Sequence, residues 1–84
     1  MVYKNDEQAC KARFVEIELS QMLNVATCGF VDYCDYLVQG QDECVIVKLV
    51  YGEGHYDTTT VNVTADSNWA ILKDVTKAVA KLFE

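Results

Sequence analysis

The side chains able to act as nucleophiles or soft metal ligands are few and awkwardly spaced. The four cysteines, Cys10, Cys28, Cys34 and Cys44, are separated by 18, 6 and 10 positions. Zinc sites present their ligands in closely spaced pairs on a turn, and no C-x-x-C occurs here. The single histidine, His55, lies beyond all four cysteines, in a predicted hairpin turn. The expectation is four reduced thiols packed as small hydrophobes, with no metal and no cofactor. Neither of the two serines, Ser20 and Ser67, lies in a G-x-S-x-G elbow. A cysteine paired with His55 is the one nucleophilic option left, and a lone histidine in a turn is ordinarily a solvated side chain. Gly52-Glu53-Gly54 is too short for a dinucleotide fingerprint and precedes a strand, not a helix. No P-loop or calcium-loop pattern is present. These residues point away from an enzyme.

Carboxylates are more plentiful. Asp6/Glu7, Glu16/Glu18, Asp32/Asp35 and Asp42/Glu43 form close pairs. General acid–base work needs one member in an apolar pocket that raises its pKa. A helical wheel over 29–39 instead turns Asp32 and Asp35 to solvent. Their distribution says more than their pairing. From Phe14 to Val47 there is no lysine or arginine, while Glu16, Glu18, Asp32, Asp35, Asp42 and Glu43 all fall there. Lys4, Lys11, Lys73, Lys77 and Lys81 lie toward the chain ends. An acidic side and a lysine-striped side are therefore expected.

An acidic side is either a solubilising surface or a patch that meets a basic protein partner. In the second case complementary potentials speed encounter and exclude wrong partners. Asp32-Tyr33-Cys34-Asp35-Tyr36 sets two carboxylates beside two phenols, and tyrosine is a rigid contact residue at interfaces. Tyr33 and Tyr36 fit the flank of a core equally well. The candidate contact residues are Asp32, Tyr33, Asp35, Tyr36, Asp42, Glu43, Glu16 and Glu18.

All of this sits on 84 residues with thirteen acids, seven bases and a net charge of −6. One core fits such a chain, but not a second domain or a large cofactor cavity. A hydrophobic fraction of 51% and a charged fraction of 24% are ordinary globular values. Direct binding to nucleic acid or to an anionic membrane needs a basic footprint that is missing. The opening residues are polar and lack the apolar run of a signal peptide, so the expected location is cytoplasmic. The sequon Asn62-Val63-Thr64 falls in a predicted strand and is read as coincidence.

The leading expectation is a small acidic binding protein, an inhibitor that mimics nucleic acid on a basic partner. In size and charge the chain is similar to the small anti-restriction and anti-CRISPR inhibitors of phages. The alternative is a self-associating accessory module, a homodimer closed by the 55–64 edge strand or by the surface around Trp69.

The elements that must position these residues are clearest in the second half. Cys44-Val-Ile-Val-Lys-Leu-Val-Tyr51 is apolar on both faces, which predicts a central strand covered above and below. Gly52-Glu53-Gly54 supplies a hairpin turn. The following run to Thr64 alternates, with Thr59, Val61 and Val63 on one face and a hydroxyl-rich set on the other. Asp66 or Ser67 caps a helix over 67–83, with Ile71, Leu72, Val75, Ala78, Val79 and Leu82 as its apolar stripe. Lys73, Lys77 and Lys81 fall opposite.

The first half carries two competing periods. Val15, Ile17 and Leu19 alternate against Glu16, Glu18 and Ser20, which favours a strand. Val15, Leu19, Met22, Leu23 and Ala26 also fit a helical stripe. Over 29–39 the wheel gathers Phe30, Val31, Cys34, Leu37 and Val38 on one face, with Gly40 as a C′ stop. The expected fold is a single α+β domain over 1–84. Its order is β-α-β-β-α, a three-stranded sheet with two helices on one face, or α-α-β-β-α if the first strand is a helix.

Overall fold

The computed structural model describes residues 6–82, in the order helix, three strands, helix. The N-terminal helix is continuous: α-helical Asp6–Arg13, π-helical Phe14–Leu19 and α-helical Ser20–Ala26 follow without a break. Ala12, Val15, Leu19 and Leu23 recur at intervals of three and four and are all buried. Ile17, which completes the competing alternation, is 59% exposed. The four-residue stripe found a core and the two-residue alternation did not, so the strand expected at Phe14–Ser20 is a helix.

Strands β1 (Val31–Gln39), β2 (Asp42–Gly52) and β3 (His55–Asn62) form an antiparallel meander in the order β1-β2-β3. The helix expected over 29–39 is therefore the first strand. A bulge explains the helix-like spacing. Val31 faces Leu49 and Tyr33 faces Lys48, leaving Asp32 as an extra residue. Val31 and Cys34, three apart, consequently point the same way, which imitates helical spacing. Beyond the bulge the alternation is regular, with Cys34 and Tyr36 facing inward and Tyr33, Asp35 and Leu37 outward. Gly40, at φ +62°, opens a two-residue turn between paired Gln39 and Asp42. It turns a hairpin and ends no helix.

The hairpin and helix predicted for the C-terminal half are present, although Leu82, expected on the apolar stripe, lies past the helix end and is 43% exposed. β2 and β3 are joined through Glu53-Gly54, and a helix runs Asn68–Lys81. The Ser67 hydroxyl caps that helix by accepting from the Ala70 N–H at 3.2 Å. Ile71, Val75 and Val79 are buried, and Lys73, Lys77 and Lys81 are exposed. Lys4 and the predicted helical residue Phe83 lie outside the described residues.

The inward residues of β1 and β2 join Val15, Leu19, Ile71 and Val75 in one buried cluster. Both helices thus cover the same sheet face. Cys44, Ile46, Lys48 and Val50, on the opposite face of β2, are only half-buried. The cover expected above and below β2 exists on one side only, because both helices are spent on the other. The class is α+β as expected, while the order is α-β-β-β-α. No helix among the described residues is long and apolar enough to cross a membrane.

One edge of this sheet is closed by side chains. The Glu16 carboxylate accepts from the Tyr36 N–H at 3.3 Å, and the Ser20 hydroxyl accepts from the Cys34 N–H at 2.7 Å. Asn24 donates to the Val31 carbonyl at 2.9 Å, and Thr27 accepts from the Val31 N–H at 2.9 Å. Glu16, Ser20 and Asn24, four apart on the helix, and Thr27 at its C-cap therefore serve as a surrogate strand along β1. An open edge invites foreign pairing, and here it is occupied.

Candidate interaction surfaces

The eight residues expected to meet a partner separate into three groups. Tyr36 and Glu43 are interior, at 1% and 8% exposure. Strand alternation turns Tyr36 into the core. Its hydroxyl donates to Glu43 Oε1, which also accepts from Lys11 Nζ at 2.9 Å. Glu43 Oε2 accepts from the Ala65 N–H at 3.1 Å, and Ala65 holds a left-handed φ of +64°. Burial opposes ionisation of Glu43, but the Tyr36 hydroxyl, the Lys11 ammonium and the Ala65 N–H outweigh it. The carboxyl is held below its ordinary 4.5. This cluster ties the N-terminal helix to β2 and to the loop before the last helix. Its members come from distant parts of the chain, so no local signal announced it.

Asp66 lies beside the same cluster. Its pKa is raised above the ordinary 3.8 by a hydrogen bond with the Asp74 carboxyl, then by burial and by the Asp74 and Glu43 charges. Its Oδ2 is buried. A carboxyl with a raised folded pKa binds its proton more tightly in the folded state. Stability therefore falls as pH rises from 3.8 through the folded value. Asp66→Asn removes the ionisation and gives Asp74 an amide donor. The variant is expected to gain about 1 kcal/mol at pH 7 and to lose that decline, as read by thermal melts across the acid range. A variant less stable than wild type at pH 7 would contradict the assignment.

The second group lies along β1. Asp32 is exposed at the bulge, Tyr33 is 39% exposed, and Asp35 is half-buried opposite Ile46. Glu16 stands at the same edge through its bond to the Tyr36 N–H, and Asp42 is exposed at the hairpin beyond. On the helix-free sheet face Tyr33, Lys48 and Thr58 form one row across the three strands. Lys48 Nζ lies 5.4 Å from the Tyr33 ring centroid and 4.7 Å from that of Tyr56. Both distances suit cation–π attraction. Tyr56 is 66% exposed. Leu37, Ile46 and Val50 fill the face between and beside them, half-buried. The tyrosine that shares a surface with Tyr33 is therefore Tyr56, which strand register finds and sequence proximity does not.

Glu18 alone forms the third group, on the solvent side of the N-terminal helix. It lines two shallow grooves there, one with Phe14, Ile17 and Asn68, the other with Gln21, Met22 and Val25. Trp69, at the start of the last helix, is 74% exposed.

The cysteines are free: Cys10 and Cys28 are exposed, Cys44 is half-buried and Cys34 is interior. Burial, with help from the Asp35 charge, pushes the Cys34 thiol up to about 11 against the hydrogen bond from Ser20. It stays protonated at neutral pH and is a poor nucleophile. His55 is exposed in the β2–β3 turn region. Among the described residues no group of three or more His, Cys, Asp or Glu side chains is placed to hold a metal ion. No family model, curated protein or solved structure matches the chain.

Proposed function

We propose that the protein is a non-catalytic binding module that docks a basic protein surface on its helix-free sheet face. The observation that carries this reading is the cluster in which the Tyr33 and Tyr56 rings flank Lys48 beside half-buried Leu37, Ile46 and Val50. Exposed aromatics on a rigid strand lose little entropy on contact and are preferred anchors. Lys48 is engaged with both rings, while Asp32, Asp35, Asp42 and Glu16 stand at the β1 side of that face. The surface therefore combines an apolar, aromatic centre with an acidic border. That arrangement fits a basic partner, with the carboxylates steering encounter. A basic channel that ordinarily holds nucleic acid is a surface of this kind. On such a partner the module acts as an inhibitor by occupancy, supported by the net charge of −6.

The test is kinetic, on a partner recovered from native cells and then purified. Asp32→Asn with Asp35→Asn lowers the on-rate and flattens its salt dependence. Tyr33→Ala and Tyr56→Ala each raise the off-rate, by about 1–2 kcal/mol. Binding that ignores these changes but is lost on Met22→Asp and Val25→Asp moves the interface to the N-terminal helix and overturns the reading.

A further inference from the structure

The two edges of the sheet are treated differently. β1 is sealed by Glu16, Ser20, Asn24 and Thr27, as described above. β3 is not. The Val63 N–H bonds to the Glu43 carbonyl at 2.9 Å, which sets the parity of the antiparallel ladder. Val61, Thr59 and Asp57 then exchange bonds with β2, and Tyr56, Thr58, Thr60 and Asn62 direct their N–H and C=O groups outward. All four of those residues are exposed. Among the described residues no other element bonds to these groups. The only local partner is the Asp57 carboxylate, which accepts from the Thr58 N–H at 2.8 Å.

We infer that β3 pairs antiparallel with β3 of a second copy, making one continuous six-stranded sheet. Three observations favour a second copy over another occupant. The first is charge. His55–Asn62 carries a single acid, Asp57, in a chain of net charge −6, so two copies meet along a nearly neutral edge. The second is self-complementarity. A two-fold axis through Thr59 sets Tyr56 opposite the partner's Asn62 and Thr58 opposite the partner's Thr60. Every outward group then has a mate, in up to about eight backbone hydrogen bonds. The third is the position of Asp57 in that register. It faces the partner's Val61, so the two Asp57 carboxylates are not opposed, and the Thr58 N–H passes from Asp57 to the partner's Thr60 carbonyl. Pairing brings two Tyr33–Lys48–Tyr56 clusters onto one sheet surface.

The inference concerns the protein alone and stands apart from the proposed basic partner. Sedimentation velocity from micromolar to millimolar protein is expected to show a species of twice the 9.5 kDa chain mass. Thr60→Pro removes an N–H that carries no bond within the chain, and proline is tolerated on an edge strand. The variant is expected to keep the wild-type melt under monomeric conditions and to weaken the dimer at least ~100-fold. Amide hydrogen exchange gives a readout that needs no variant: Tyr56, Thr58 and Thr60 become protected as concentration rises. A monomer at millimolar concentration overturns the inference. So does a dimer whose β3 amides exchange freely.

Discussion

Glu43→Ala is expected to destabilise the protein by about 3–5 kcal/mol, the range for breaking one half of a buried ion pair. Lys11 is itself buried, and its other carboxylate, Glu7, is exposed and 3.9 Å away. Removing Glu43 leaves an ammonium, the Tyr36 hydroxyl and the Ala65 N–H without their shared acceptor. Total stability for a chain of 84 residues is about 4–12 kcal/mol, so the loss takes a large share of it. Replacing both charges, Lys11→Met with Glu43→Leu, is expected to recover the part of that loss due to the unpaired ammonium, while the Tyr36 hydroxyl and the Ala65 N–H stay without their acceptor. Urea titrations of the two single variants and the double variant measure the coupling directly. A Glu43→Ala protein within about 1 kcal/mol of wild type would show that the cluster is solvated and weak.

The same cluster sets the acid limb of stability. Glu43 is held below its ordinary value of 4.5, so its contribution is fully present above that pH. It is lost as pH falls through the folded value. Asp66, raised from 3.8, works in the opposite direction. Measured together, the two carboxyls should produce opposing slopes that Glu43→Gln and Asp66→Asn separate.

Val79→Asp is expected to unfold the protein or to cost at least about 3 kcal/mol. Val79 belongs to the buried apolar cluster with Ile71 and Val75, an environment that offers a carboxylate no compensation for its lost hydration. Lys77→Asp, two residues earlier on the exposed side of the same helix, should stay within about 0.5 kcal/mol of wild type. The comparison controls for helix propensity, since both variants introduce the same residue. Thermal melts that rank the two the other way would mean that the helix is rotated by half a turn from the orientation described.

The proposed docking surface is legible in the sequence only in part. Asp32, Tyr33 and Asp35 were visible as an acidic, aromatic group and do lie together, on a strand edge where a helix face was expected. Tyr36 adjoins them in sequence, yet a pleated strand sends neighbours to opposite faces. Tyr56 and Lys48 joined the group through register, a property of strand pairing that no single segment carries. Glu43 resembled any other exposed acid until its partner Lys11, 32 residues away, was placed beside it.

By itself the sequence determined the β2–β3 hairpin and the C-terminal helix. Each has a single period bounded by its own stop signals: β-branched alternation around Gly52-Glu53-Gly54, and an apolar stripe behind Ser67. The α+β class was legible too, whereas the count of two helices and three strands agrees only because the strand expected at 14–20 and the helix expected at 29–39 exchange types. Tertiary structure alone decided 14–39. There two periods coexist, and burial chose between them: Val15 and Leu19 reached the core, while Ile17 did not. At Asp32 one extra residue shifted a strand's phase until it resembled a helix, and only pairing with β2 fixed the register. Periodicity identifies an element when one face alone is apolar. Where several faces qualify, the neighbour that covers one of them decides.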